Sequence, residues 1–180
     1  MRRGIQLAVA CLVLLVTAAV QAGVVYTNDF QSGTATGFTG FTNVETAPNT
    51  ERFIGFLVSG NSAVLSLSGL APHSTVTLEF DVIGLHSLDG ITSGDNFQLF
   101  RNGGLEFTDF YGHSGGTIIG PTTGTLLSDD PSAFGYGSFF AGAVTYHYSL
   151  IFNDSASSIS FAFQGNTNQT WNDEAFGLDN

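Results

Sequence analysis

The sequence predicts an all-β chain folded as an antiparallel β-sandwich of jelly-roll type, and three observations predict it. Apolar and polar residues alternate with period two over several segments, the pattern of a strand with one face in a core. Clusters of Gly, Ser, Asn and Asp separate those segments as turns do. No segment beyond residues 1–22 holds a helical period. The chain has 180 residues, of which 43% are hydrophobic and only 11% charged, so it is no disordered acidic tail and has the length of one domain. Seventeen phenylalanines, five tyrosines and one tryptophan suit a packed sheet core. Fifteen acids face four arginines and no lysine, a net charge of -11 that disfavours a nucleic-acid partner.

Arg2 and Arg3 precede an apolar run from Leu7 to Val20, and Val20-Gln21-Ala22 supplies small residues where a signal peptidase cuts. That order is a secretory signal peptide over 1–22, too short in its apolar part to span a bilayer. Cys11 is the sole cysteine, so a chain cut after Ala22 forms no disulfide and keeps two arginines against all fifteen acids. Residues 23–180 are then a single sandwich domain in a secreted, extracellular or cell-surface protein.

The strands follow in order. Val24 to Phe30 reads as the first, ending in Asn28-Asp29-Phe30. Arg52 to Val58 and Ala63 to Leu67 flank the turn Ser59-Gly60-Asn61. From Thr75, the residues Val76, Leu78, Phe80 and Val82 alternate with Thr75, Thr77, Glu79 and Asp81. Phe97 to Arg101 and Leu105 to Phe110 form a hairpin about Asn102-Gly103-Gly104. Residues 111–141 read as long loops with one strand among them. Val144, Tyr146, Tyr148, Leu150 and Phe152 share a face, as do Ile159, Phe161 and Phe163, and the turn Asn153-Asp154-Ser155 predicts a hairpin between these two strands.

Asp89 and Asp95 bracket a glycine-containing loop, and Asp173-Glu174 precede the terminal Gly177-Leu178-Asp179-Asn180. Calcium takes several hard oxygen ligands from carboxylates, carbonyls and amides, and such a loop can fold round it with a strand-end acid completing the shell. The competing reading is that Asp and Gly are there to form turns. Glu79 and Asp81 share a strand face and raise the question of glycoside hydrolysis. Laminarinase-like hydrolases carry Glu-x-Asp-x-x-Glu on one strand, and here the third position is Gly84. The four histidines are scattered, no serine lies in Gly-x-Ser-x-Gly, and no triad is assembled. Phe110-Tyr111, Phe134-Gly135-Tyr136 and Trp171 lie in or beside loops, where an exposed ring stacks on a sugar; Tyr136 and Trp171 are the better candidates.

Read together, Asn28-Asp29-Phe30, Arg52-Phe53-Ile54-Gly55-Phe56, Leu65 to His73, Val76 to Asp81, Ser87-Leu88-Asp89-Gly90 and Asp173 to Asn180 form an ordered series across the chain. The series resembles secreted bacterial jelly-roll proteins of a carbohydrate-binding-module-like group, often found with a PEP-CTERM sorting tail. The resemblance implies a structural calcium tying the first strand to the last through Asp29 and Asp179, with Asp89 and Glu174 matching the acids of the loops and Asp95 a weaker match. The group has tryptophan where this chain has Leu88 and Phe176, and it implies further apolar residues past Asn180. The expectation is a non-catalytic, calcium-stabilised β-sandwich in matrix or surface adhesion. A glycan-binding module with a polysaccharide partner is the alternative, and a hydrolase the third reading.

Overall fold

The computed structural model describes residues 23–112, 120–130, 132–136 and 142–180. The leader expected over 1–22, and His113, lie outside them. Eleven strands run through the described residues: β1 (Phe38–Gly40), β2 (Val44–Thr46), β3 (Arg52–Leu57), β4 (Asn61–Ser68), β5 (Thr75–His86), β6 (Asn96–Arg101), β7 (Gly104–Phe110), β8 (Thr125–Ser128), β9 (Ala143–Asn153), β10 (Ser158–Asn166) and β11 (Glu174–Asp179). They form two wholly antiparallel sheets, β1-β4-β10-β6-β7 and β2-β3-β11-β5-β9-β8. Successive strands repeatedly change sheet, as in a jelly roll, and three of the four edge strands, β1, β2 and β8, have only three or four residues and offer little template for further pairing.

The alternation sets the core. Phe80, Val82, Tyr146 and Tyr148 from one sheet face Leu65, Phe97, Leu99, Phe161 and Phe163 from the other, all buried. Tyr148 lies flat between Phe80, at 4.8 Å and 2°, and Phe107 of the opposite sheet, at 5.2 Å and 3°. Offset aromatic piles of this kind add to the area they bury. The Tyr148 hydroxyl donates to the buried Asp109 carboxylate at 2.9 Å and lies 2.6 Å from the Tyr111 hydroxyl. Gly165 of β10 lies at a close approach to β3 of the other sheet: a Cβ there would stand 2.6 Å from the Leu57 carbonyl oxygen.

Three expectations are corrected. Residues 24–30 are not a strand: Val24 and Val25 are exposed, Tyr26 packs at the margin of the core and Phe30 alone is fully buried. Segments 143–153 and 158–166 are not a hairpin: β9 pairs with β5 and β8 in one sheet, β10 with β4 and β6 in the other. The turn at 154–157 therefore crosses between the layers. Tyr111, a loop aromatic by sequence, is fully buried and offers no surface.

The outer face of the six-stranded sheet carries a second apolar cluster, with Phe53, Ile83, Leu85, Ala143 and Ala175 at its centre. Strict alternation would send Phe56 inward, two residues after Ile54. The register between β11 and β3 instead shifts, with Phe176 opposite Leu57 and Leu178 opposite Ile54. Gly55 and Phe56 together face the single residue Gly177, a bulge that brings Phe56 out beside Phe53, 5.9 Å between rings. This outward Phe56 supports the site described next.

Candidate functional site

Two loops meet at one end of the sandwich. The β5–β6 loop, residues 87–95, contains a short 3-10 turn over Gly90–Thr92, and the Gly90 carbonyl accepts the amides of Ser93, Gly94 and Asp95. Gly90 has φ +77°, a conformation that disfavours any side chain there. The β10–β11 loop turns through Thr170, whose carbonyl accepts the amides of Asp173 and Glu174. The Ser87 amide and hydroxyl donate to Asp173 at 2.9 and 2.7 Å, and the Asn168 side chain donates to the Ser93 carbonyl at 3.1 Å. The loops are thus sewn together by polar contacts.

Inside the seam lie Asp95 and Glu174, both completely buried. Asp95 Oδ2 accepts the Asp89 amide at 2.6 Å, and Glu174 Oε1 accepts the Gln169 side-chain amide at 3.0 Å. Among the described residues no donor reaches Asp95 Oδ1 or Glu174 Oε2. Burial, and then the neighbouring Asp95 charge, push the Glu174 carboxyl up to about 7; burial likewise raises Asp95, opposed by the Asp89 amide. Two carboxyls in one dry site do not both ionise without compensation. A shared proton satisfies the orphaned oxygens, and so does a cation. Among the described residues no three His, Cys, Asp or Glu side chains are grouped as a metal centre. The donors at hand are two carboxylates and nearby carbonyl and amide oxygens, a hard-oxygen set that fits calcium and not a softer metal.

The five acids expected to hold calcium do not form one site. Asp95 and Glu174 adjoin, and the half-buried Asp89 meets Asp95 through its backbone amide. Glu174 and Asp179 sit at opposite ends of β11, about 17 Å apart over five strand steps. Asp179 is pushed up to about 6, by burial and then by Asp81, Glu51 and Asp29, so Asp29 and Asp179 share a separate acidic patch. Asp29 is exposed there and accepts the Gln31 amide at 3.1 Å. Asp81 in that patch is bound by His147 at 2.6 Å, and Glu79 accepts the Ser149 hydroxyl at 3.1 Å. Gly84 points to the opposite face from Asp81, against Leu88, Tyr111 and Val144 in the core. A side chain at that position would not join Asp81.

The two expected aromatic residues belong to one row. Trp171, at the tip of the β10–β11 loop, stacks on Phe56 with centroids 5.1 Å apart and planes at 17°. It remains 55% exposed, so its second face is open. Phe56 approaches His86 at 6.1 Å, and His86 meets Tyr136 edge-on at 5.2 Å. His86 lies opposite Glu174 in the β5–β11 register, which joins the row to the acid seam. Phe56 and His86 were invisible as members of this row in the sequence: the first depends on the bulge, the second on the turn of its backbone to φ +67° at the end of β5. The neighbouring Asn168 and Gln169 match a glycosylation acceptor pattern with Thr170, a signal that does not point to their place in the loop seam.

No family model matches the chain, and no curated protein matches it. Among solved structures it is similar to a family 35 carbohydrate-binding module from an environmental isolate, at 16% identity over 81% of this chain and 84% of that one, with a TM-score of 0.40. A family 35 module from Clostridium thermocellum aligns at 9% identity over 81% and 94% of the two chains, TM-score 0.37. An exo-β-1,3-galactanase from Phanerochaete chrysosporium aligns at 12% identity over 79% of this chain but 26% of its own, TM-score 0.36. Function at that distance is a matter for the chain's own residues.

Proposed function

We propose that the chain is a non-catalytic glycan-binding module whose loop end presents Trp171 to a sugar ring. The observation that carries this reading is the open indole face of Trp171, backed by Phe56 and continued through His86 to Tyr136. An aromatic plane held from behind by another ring loses little freedom on binding, and its apolar face matches the C–H face of a pyranose. Polar side chains of the adjoining loops stand within the same rim to meet hydroxyl groups. Calcium held by Asp95 and Glu174, with Asp89 beside them, would replace the proton they share and lock the loop that carries Trp171. Adhesion to an extracellular matrix is then a consequence of glycan capture, in keeping with the export signal expected over residues 1–22. The non-catalytic reading is supported by the cross-strand pairing of Glu79 and Asp81 and by the inward Gly84.

Affinity electrophoresis of residues 23–180 in gels containing soluble β-glucan, xylan, galactomannan or pullulan tests the proposal. At least one polysaccharide is expected to retard the protein, and Trp171→Ala to weaken that binding about tenfold or more. Retardation unaffected by Trp171→Ala would remove the site from this end of the molecule.

A further inference from the structure

We infer that the chain self-associates through the side of the sandwich where β9 runs out of partners, and that what covers that side is a second copy related by a two-fold axis. β9 pairs with β5 along its whole length, but β8 covers its other edge only beside Thr145, Tyr146 and His147. Among the described residues no strand pairs with the rest of that edge, 149–153. Alternate residues of such an edge turn a free N–H and C=O outward.

Exposed edges are ordinarily blunted by lysine, proline, charge or a bulge. This one has none of these: Ser149-Leu150-Ile151-Phe152-Asn153 is uncharged, and its register with β5 is unbroken. Ile151 is 73% exposed, while Leu150 and Phe152 lie half-buried at the margin of the core. The other sheet ends on the same side in β7, where Phe107 stacks on Tyr148 and Arg101 lies 4.9 Å over the Phe152 ring. β7 carries a register shift beside Glu106, so its exposed Leu105 adds apolar surface and not a second ladder.

What fits the β9 edge is the edge itself. Antiparallel pairing about an axis at Ile151 sets Ile151 against its own copy, Leu150 against Phe152, and Ser149 against Asn153. Apolar residues then meet apolar ones and polar residues meet polar ones, the arrangement that stabilises cross-strand pairs. An axis one residue to either side would pair Ile151 with Ser149 or Asn153. Charge permits contact here in a chain whose net charge of -11 otherwise keeps copies apart. Glu106 and Asp154 are both held by Arg101, at 2.6 and 3.4 Å, and Glu79 accepts the Ser149 hydroxyl at 3.1 Å.

A five-residue edge with its flanks is well below the roughly 20–30 residues a side of a standard interface, so dissociation is expected at about 10–100 μM. β9 begins beside the loop end and runs away from it, so antiparallel pairing points the two loop ends in opposite directions. Resting on the glycan reading of Trp171, such a dimer bridges two polysaccharide chains instead of gripping one twice.

Sedimentation velocity of residues 23–180, from about 5 to about 500 μM, tests the association. Wild type and Trp171→Ala are expected to pass from monomer to dimer alike. Ile151→Lys, at an exposed position, should weaken the dimer about tenfold or more and leave the melting temperature unchanged. Residues 23–180 contain no cysteine, so Ile151→Cys reports the register: mild oxidation should link two copies through it. Thr39→Cys, equally exposed on the edge strand β1, should stay monomeric. A monomer at the highest concentration would overturn the inference, as would a dimer indifferent to Ile151→Lys or equal cross-linking at the two cysteines. Loss of the dimer in Trp171→Ala would move the contact to the loop end and overturn it too. A dimer that passes these tests while no polysaccharide retards it in gels would uphold the interface and remove the glycan reading alone.

Discussion

Asp95 and Glu174, 79 residues apart in the sequence, meet as a completely buried carboxyl pair, each with one oxygen that no donor among the described residues satisfies. Their proximity follows from sheet register: β11 is inserted between β3 and β5, so its first residue lies opposite His86 at the end of β5, where the 87–95 loop begins. In the unfolded chain Glu174 titrates near the ordinary 4.5, whereas in the fold it is pushed up to about 7. Between those values the folded state holds a proton that the unfolded state has released. Stability is therefore greatest below about pH 4.5 as far as this group is concerned, and falls as pH rises toward 7.

Thermal unfolding in chelator, scanned from pH 4.5 to 7.5, should show that decline. The contribution of Glu174 is roughly 3 kcal/mol at most. Asp179, pushed up to about 6, acts with the same sign in an overlapping window. The difference between wild type and Glu174→Gln isolates the pair, and the substituted protein should show a shallower slope. Equal slopes would mean that the pair carries no proton in the fold.

Calcium should reverse the loss. An ion that binds only the folded state stabilises it by about 2.7 kcal/mol at a hundredfold excess over Kd. At pH 7.5 the melting temperature of the wild type should rise with calcium and not with magnesium, which holds its water more tightly and demands an octahedral shell. Asp95→Asn should raise the melting temperature in chelator, because one buried charge is gone, and should abolish the calcium response. Asp29→Ala should leave that response intact, since Asp29 belongs to the patch at the far end of β11. Loss of the response in Asp29→Ala and not in Asp95→Asn would transfer the ion to that patch.

Most of the strands were legible in the sequence, because a face such as Val76, Leu78, Phe80 and Val82 repeats with the pleat. What period two does not encode is the partner. The turn at 153–155 has the composition of a hairpin, yet the chain there passes from one sheet to the other, a choice made by the strands already flanking β9 and β10. The site was legible to the extent that it rests on residue type. Asp89, Asp95, Glu174, Tyr136 and Trp171 all lie at one end of the molecule, a grouping that residue type alone does not encode. Phe56 was hidden by a one-residue bulge, and the separation of Asp29 and Asp179 from the loop acids by the length of β11.

The buried Tyr111–Tyr148–Asp109 chain predicts an asymmetry between two conservative substitutions. Tyr148 stands in the middle: its hydroxyl donates to Asp109 and adjoins that of Tyr111. Tyr148→Phe strands a buried carboxylate oxygen and a buried hydroxyl together, and should cost about 1–3 kcal/mol. Tyr111→Phe removes only the terminal hydroxyl and leaves the Tyr148–Asp109 bond in place, so its cost should be smaller. Urea unfolding of both variants measures the difference, and equal costs would show that Asp109 finds its compensation elsewhere, with the hydroxyls of Thr122 and Thr123, at 3.5 and 3.3 Å, the nearest alternatives.

Gly165 offers a test of the sandwich itself. The residue lies on an inward position of β10 between Phe163 and the start of the loop that carries Trp171, and β3 passes directly beneath it. A methyl group would meet the Leu57 carbonyl oxygen at 2.6 Å and its Cβ at 2.8 Å, both backbone-fixed, so no side-chain rotation relieves the clash. The two sheets must move apart locally, and overpacking of that kind costs about 1–3 kcal/mol. At this chain length each kcal/mol lowers the melting temperature by about 2–4 °C. Gly103→Ala is the matched control for glycine loss at a turn, where open space surrounds the added carbon and only the φ of +82° opposes it. Gly165→Ala should be the more destabilising of the two in thermal unfolding. If it proved as mild as Gly103→Ala, the close approach of β10 and β3 would have no part in holding the layers together.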